Sequence, residues 1–270
     1  MSNKDRAGEK YWSTVWENTP LQPPMNTESK SVNDYGDSIL FSLFRRTFSG
    51  MNTTNLNLLE IGCGNSVILP IFAKKFGFSI SGLDYSELGC KQSRMILERE
   101  NIEGEIILGD AFNPSKDLIG RFDVVCSFGV VEHFEDTAGT IAAFAKFLKP
   151  GGILITSIPN MKGATGWLHK WLNRPVYNIH VPLDIYDMKK ALSSAGLNEK
   201  INEYFLPISF AITLYSNDGT FIPYYKLKKV LVKTIRYFSK LIWMLEIHIH
   251  PLPARKYFSG GVYTAAIKPL

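Results

Sequence analysis

The sequence predicts an α/β fold in which a mostly parallel sheet carries helices on both faces. Short apolar runs of strand length recur at 56–61, 79–84, 105–109, 122–127 and 152–158, and segments of helical spacing at 67–76, 86–100 and 136–148 separate most of them. Strands that alternate with helices pair in parallel, because each crossover returns the chain to the same end of the sheet. The first run, Leu58 to Ile61, passes directly into Gly62-Cys63-Gly64, and an acid, Asp84, closes the second run. Glycines at a strand-to-helix turn let the backbone bend sharply and let a ligand approach with no Cβ in the way.

The remaining elements follow in order. Lys10 to Glu17 is predicted as a short helix, followed by an ordered loop holding Pro20, Pro23 and Pro24. Ile39, Leu40, Leu43, Phe44 and Phe48 give Asp34–Phe48 a helical spacing. Gly151-Gly152 after Pro150 is predicted to end the helix before the fifth strand. Beyond 158 the rhythm breaks: 159–181 is rich in Gly, Asn, Trp and Pro and reads as an inserted loop. Leu183–Ala195 reads as a helix closed by Gly196, 199–206 as a strand, and Gly261–Lys268 as the last strand. A second insertion, 207–257, contains a long helix from about Tyr224 to Ile247. The organisation expected is one domain: an N-terminal lid at 1–49, a ligand-binding core at 50–158, and insertions 159–181 and 207–257 forming a cap over a substrate.

The glycine turn and Asp84 point to an adenosine-containing cofactor, since an acid about twenty residues past such a turn can accept from both ribose hydroxyls. A dinucleotide fingerprint requires a small residue at the sixth position, where this chain has Val67. Glu60 stands two residues before the first glycine. Its carboxylate would repel a pyrophosphate and suits a cationic ammonium or sulfonium. S-adenosylmethionine is therefore favoured over NAD.

Leu58 to Ser66 resembles the first motif of the class I S-adenosylmethionine-dependent methyltransferases, with Ser66 in place of its last glycine. Four more blocks match in order: Gly82 to Ser86, Leu108 to Phe112, Phe122 to His133, and Leu148 to Ile155. The resemblance spans roughly 50–160, with weaker support at 182–206 and 258–270. It implies a Rossmann-like seven-stranded sheet with an antiparallel last strand, S-adenosylmethionine as cofactor and S-adenosylhomocysteine as product.

The resemblance also implies roles for residues of this sequence. Gly62 and Gly64 pass beneath the methionine part of the cofactor, and Glu60 holds that region. Asp84, with Ser86 in the same block, takes the ribose, and Tyr85 flanks the adenine. Asp110 accepts from the adenine amino group beside Ala111 and Phe112. Ser127 and Phe128 meet the methionyl end. Tyr11, Trp12 and Trp16 form an aromatic lid able to face a sulfonium. Glu132-His133 is similar to a pair in the ubiquinone-biosynthesis O-methyltransferases, and His133 is the candidate general base. In those enzymes a glutamate three residues before the pair completes a proposed magnesium site. Here that position is Gly129, and no metal is expected. His169 and His180, in the first insertion, could face the substrate.

Composition narrows the partners. With 270 residues, 45% of them hydrophobic, the chain can bury one sizeable core. Met1 to Lys10 is polar and charged, with no secretory signal, and the apolar stretches are too short or too interrupted to span a bilayer. Cys63, Cys90 and Cys126 form no C-x-x-C pair, so a cytoplasmic location is expected. The net charge of +5 is concentrated: Lys226, Lys229, Lys233, Arg236 and Lys240 recur at three- and four-residue steps on one helical face. That face suits peripheral contact with an anionic membrane or a lipid-linked substrate. A nucleic-acid amino-methyltransferase would carry Asp/Asn-Pro-Pro-Tyr/Phe after the fourth strand, where this chain has Cys126-Ser127-Phe128-Gly129. The expected activity is methyl transfer to a small-molecule acceptor, most readily on oxygen. The alternatives are a lipid-linked acceptor at the membrane surface and a non-catalytic binding protein of the same fold.

Overall fold

The computed structural model describes residues 4–210, 224–250 and 252–270. Seven strands form one sheet in the order β3-β2-β1-β4-β5-β7-β6. They are β1 (Asn57–Ile61), β2 (Ser79–Asp84), β3 (Glu105–Leu108), β4 (Phe122–Phe128), β5 (Leu148–Pro159), β6 (Asn198–Phe205) and β7 (Gly261–Ile267). The first five pair in parallel, and β7 lies antiparallel between β5 and β6. The helices are α1 (Glu9–Glu17), α2 (Tyr35–Thr47), α3 (Ile68–Phe76), α4 (Glu87–Glu100), α5 (Thr137–Ala145), α6 (Ala164–Leu172), α7 (Arg174–Asn178), α8 (Ile185–Ser194) and α9 (Tyr225–His248).

Both faces of the sheet are buried, and the strand period of two sorts neighbouring residues between them. Leu59, Val125 and Leu154 pack with Ile141, Phe144, Met188 and Leu192 of α5 and α8. Leu58, Val124 and Ile153 pack on the other face with Phe44, Leu69, Phe72 and Leu97 of α2, α3 and α4. A strand covered on one side only would show alternating polarity; the near-continuous apolar runs follow from this double burial.

Two expectations are corrected. Helix α5 stops at Ala145, and by Leu148 the chain is already in β5. The pairing jumps from Phe122↔Leu148 to Val124↔Ile153, so Gly151, at φ 77°, bulges a strand instead of ending a helix. Segment 159–181 is not a loop: it forms α6 and α7. Leu168 and Leu172, four apart, bury one face of α6 against Val232 of α9, and Trp167 and Trp171 stack outward. The second insertion is described at 207–210, in α9 and after it; residues 211–223 and 251 lie outside the described residues. Leu227, Val230, Phe238, Leu241 and Leu245 of α9 are exposed, so among the described residues nothing buries this side of the helix. Among the described residues, no helix is long and apolar enough to cross a membrane.

Candidate active site

At the carboxyl ends of β1, β2 and β4, where the strand order reverses about β1, the sheet opens into two adjoining cavities of about 260 and 370 Å³. This is the place where open α/β sheets leave a crevice for ligands. Gly62, Asp84, Tyr85, Val130 and Phe134 line both cavities. Trp12, Trp16, Glu60, Gly64, Phe128 and His133 belong to the smaller one, and Asp110, Ala111 and Phe112 to the larger.

The loop after β1 has little room to vary. Gly62 sits at φ 76°, donates its amide to the Leu83 carbonyl at 2.8 Å, and a Cβ there would clash with the Val130 side chain. The Gly64 amide donates to Asp84 Oδ2 at 2.8 Å, and the Ser86 amide to Oδ1 at 2.7 Å. Both oxygens of Asp84 are thus oriented and each keeps accepting capacity. Burial raises the Asp84 pKa against these two donors. Glu60 is 3% exposed and accepts from the Ser66 hydroxyl at 2.6 Å; burial pushes its carboxyl up to about 8, the Ser66 bond opposing and the Asp84 charge reinforcing the shift.

Helix α1 roofs the smaller cavity. Trp12 and Trp16 stack with centroids 5.6 Å apart, and Trp12 meets the His133 ring edge-on at 5.2 Å. Gln92 donates to the Trp16 carbonyl at 2.7 Å, pinning the roof to α4. Tyr11 packs edge-on against Trp12 but lines neither cavity. Ser86 and Ser127 are also absent from both walls. Ser86 caps α4 by accepting from the Gly89 amide at 3.2 Å. Ser127 is buried within β4, in register with Ile61. Tyr11, expected in the aromatic lid, and Ser86 and Ser127, expected from the motif blocks, are thus not among the residues that line the cavities. Asp110 lines the larger cavity and accepts from the Phe112 amide at 2.8 Å, and Phe112 packs on Phe134 at 4.7 Å.

After β4 a short 3-10 turn, Val131–His133, brings His133 to the cavity edge and Glu132 behind it. His133 lines the smaller cavity; its Nδ1 donates to the Ile179 carbonyl at 2.8 Å, and burial pushes its pKa down to about 4. Glu132 is 1% exposed, lies behind the wall, and is pushed up to about 8 by burial. The His180 ring sits 4.6 Å from that of His133. His169 is instead buried between α6 and its surroundings, with Nδ1 bonded to the Thr165 carbonyl at 3.0 Å, away from both cavities.

Residues 35–199 match the methyltransferase domain family. The chain belongs to that family. It is a class I S-adenosylmethionine-dependent methyltransferase. A ubiquinone biosynthesis O-methyltransferase of Cereibacter sphaeroides (strain ATCC 17029) is 28% identical over 217 residues, covering 72% of this chain and 83% of that one. Among solved structures, the geranyl diphosphate C-methyltransferase of Streptomyces coelicolor, in complex with Mg²⁺, geranyl diphosphate and S-adenosylhomocysteine, aligns with TM-score 0.60 at 13% identity over 96% and 97% of the two chains. The phosphoethanolamine N-methyltransferase 2 of Haemonchus contortus, bound to S-adenosylhomocysteine, aligns with TM-score 0.59 at 14% identity over 98% of this chain and 58% of that one. These structures share the fold while their names give carbon and nitrogen as acceptors, so the fold alone does not select the acceptor atom.

One feature of the methyltransferase escaped the sequence reading. Asp5 lines both cavities, accepts from the Tyr85 hydroxyl at 3.0 Å, and pairs as an isolated bridge with Phe134. Its neighbour Arg6 donates to the His180 carbonyl at 3.0 Å. The segment around Asp5 thus borders the site, and no local motif around Asp5 announces it.

Proposed function

We propose that the methyltransferase moves the methyl group of S-adenosylmethionine to an oxygen of a small-molecule acceptor by in-line displacement. The sulfonium is already activated, so the protein has to hold it and align a nucleophile. Orientation alone can contribute about 7–11 kcal/mol in well-arranged systems. The observation that supports this reading most is the wall of the smaller cavity, which Asp84, the glycine loop, Trp12, Trp16 and His133 line together. In this reading Asp84 accepts from the ribose hydroxyls and Tyr85 flanks the adenine. Asp110 accepts from the adenine amino group, with Ala111 and Phe112 beside the ring. Gly62, Gly64, Glu60 and Phe128 surround the methionyl part. The paired indoles face the sulfonium. His133 presents Nε2 to the acceptor, since Nδ1 carries the proton donated to Ile179. The name of the Cereibacter relative supports oxygen over nitrogen or carbon.

A test is transfer of labelled methyl groups to a panel of phenolic, amine and carbon-acid acceptors. Label recovered as phenolic methyl ethers supports the reading. Label found only on nitrogen or carbon overturns the choice of oxygen.

A specific observation favours delivery of the acceptor from an anionic membrane surface. Three faces follow one another around α9. Val232, Ser239 and Glu246, seven residues apart, are buried against the protein. Lys226, Lys229, Lys233, Arg236 and Lys240 form the next face, all exposed, and Leu227, Val230, Phe238, Leu241 and Leu245 form the third, also exposed. An uncovered apolar stripe beside a basic stripe suits insertion at the headgroup boundary of anionic lipid. Sedimentation with phosphatidylglycerol vesicles, but not with phosphatidylcholine vesicles, is the expected result. Equal or absent binding to both removes the reading.

A further inference from the structure

We propose that Glu132, His133 and His180 form a site for one borderline divalent transition-metal ion, of the zinc, cobalt or iron(II) kind. One donor atom of each residue lies within 4.8 Å of the other two. Ligands around a four-coordinate ion stand roughly 3.3 Å apart, given metal–nitrogen distances of about 2.0–2.1 Å. From the 4.8 Å bound, the widest pair would have to approach by at most about 1.5 Å to close the set.

Three further observations carry the site. The imidazoles are held in the tautomer a metal needs: Nδ1 of His133 lies 2.8 Å from the Ile179 carbonyl and Nδ1 of His180 lies 2.6 Å from that of Val176. A carbonyl only accepts, so each Nδ1 bears the hydrogen and each Nε2 a lone pair. A backbone carbonyl behind the non-ligating nitrogen is the usual outer support of a metal-bound histidine. Next, Glu132 is 1% exposed and its Oε2 has no hydrogen-bond partner among the described residues. A buried carboxyl oxygen left unmatched is costly, and a cation matches it. Finally, the two segments are tied by backbone. The Val181 amide donates to the Glu132 carbonyl at 2.6 Å, and Arg6 joins the His133 carbonyl through its amide at 2.9 Å and the His180 carbonyl through its guanidinium at 3.0 Å.

The donor set does not fit the magnesium site that the ubiquinone-biosynthesis resemblance implies. Gly129 supplies no carboxylate, and the third donor comes instead from His180, beyond α7. Magnesium prefers oxygen ligands and retained waters, whereas two imidazoles with one carboxylate select the borderline transition metals. His133 has one Nε2 lone pair, so a bound ion takes the position that the metal-free chain presents to the acceptor; the part of the ion in catalysis rests on the methyl-transfer reading, and metal binding itself does not.

The test uses the full chain, stripped with chelator and titrated with Co²⁺ under optical absorption and with Zn²⁺ and Mg²⁺ by calorimetry. One Co²⁺ per chain with a visible d–d band, and Zn²⁺ binding at least tenfold tighter than Mg²⁺, are expected. His180→Ala and, as a second variant against misfolding, Glu132→Gln should each weaken Zn²⁺ more than tenfold, with His248→Ala unchanged. Absence of a cobalt band, equal binding of Zn²⁺ and Mg²⁺, or full affinity in folded His180→Ala and Glu132→Gln overturns the proposal. Binding of S-adenosylmethionine by the same stripped protein is measured separately, so loss of the metal site and loss of the cofactor site are told apart.

Discussion

Trp16 lies across Gly64: its indole nitrogen is 2.8 Å from the point where a Cβ on that glycine would stand. The roof of the site and the floor beneath it are therefore in contact, and the residue between them can only be glycine.

If the paired indoles serve the sulfonium, they should distinguish the cofactor from its product. S-adenosylhomocysteine lacks the positive sulfur, and aromatic faces stabilise a cation by about 0.5–2 kcal/mol. Trp16→Ala should therefore weaken S-adenosylmethionine about 2- to 30-fold more than S-adenosylhomocysteine. An equal loss for both would leave Trp16 as a packing residue only.

Asp84 holds two backbone amides and is proposed to hold two ribose hydroxyls. Hydrogen bonds to a charged group are worth about 1.5–3 kcal/mol each. Asp84→Asn keeps the shape and removes the charge, so cofactor affinity should fall by about 10- to 100-fold. Circular dichroism would establish that the variant is folded. Unchanged affinity in the folded variant would remove Asp84 from the ribose site.

Glu60 gives a stability signature with a definite sign. Its carboxyl ordinarily titrates near 4.5 and is pushed up to about 8 in the folded chain, chiefly by burial. Between these values the folded state binds more protons than the unfolded state, so stability falls as pH rises and the loss is complete above about 8. Glu60→Gln should flatten this slope, by a few kcal/mol at most on the scale of about 1.4 kcal/mol per unit. Glu132, raised for the same reason, leaves a residual slope. Thermal unfolding of cofactor-free protein across the range is the measurement, and parallel profiles for parent and variant would contradict the account.

For the membrane reading, charge reversal is the sharpest probe. Each basic side chain near an anionic surface contributes about 1 kcal/mol, so Lys229→Glu with Lys233→Glu should cut vesicle binding more than tenfold. Phe238→Ser, which removes the apolar contact without adding charge, should weaken it with little dependence on salt. Binding untouched by these changes would place the contact elsewhere.

What could be read in the sequence follows the physics of each part. The strands β1, β4 and β5 were legible because burial on both faces leaves near-continuous apolar runs. The glycine loop and Asp84 were legible because one turn and one acid have few other uses at that spacing. Helices α6 and α7 were not: Gly163, Trp167, Trp171 and Pro175 suggested a loop, yet Leu168 and Leu172 find their partner in Val232, far along the chain. Asp5 was hidden for the same reason, since its partner Tyr85 lies 80 positions away; His180 was legible as an insertion histidine, but its pairing with His133, 47 positions away, was not. Ser86 and Ser127 matched motif blocks by position, but capping and strand burial took their side chains off the walls.

The most direct measurement is calorimetric titration of the purified chain with S-adenosylmethionine and S-adenosylhomocysteine, using NAD as control and Asp84→Asn in parallel. One site per chain with micromolar affinity for both methionine-derived ligands, weakened in the variant, and no heat with NAD are expected. Binding of NAD, or no binding of either methionine-derived ligand, would contradict the cofactor reading.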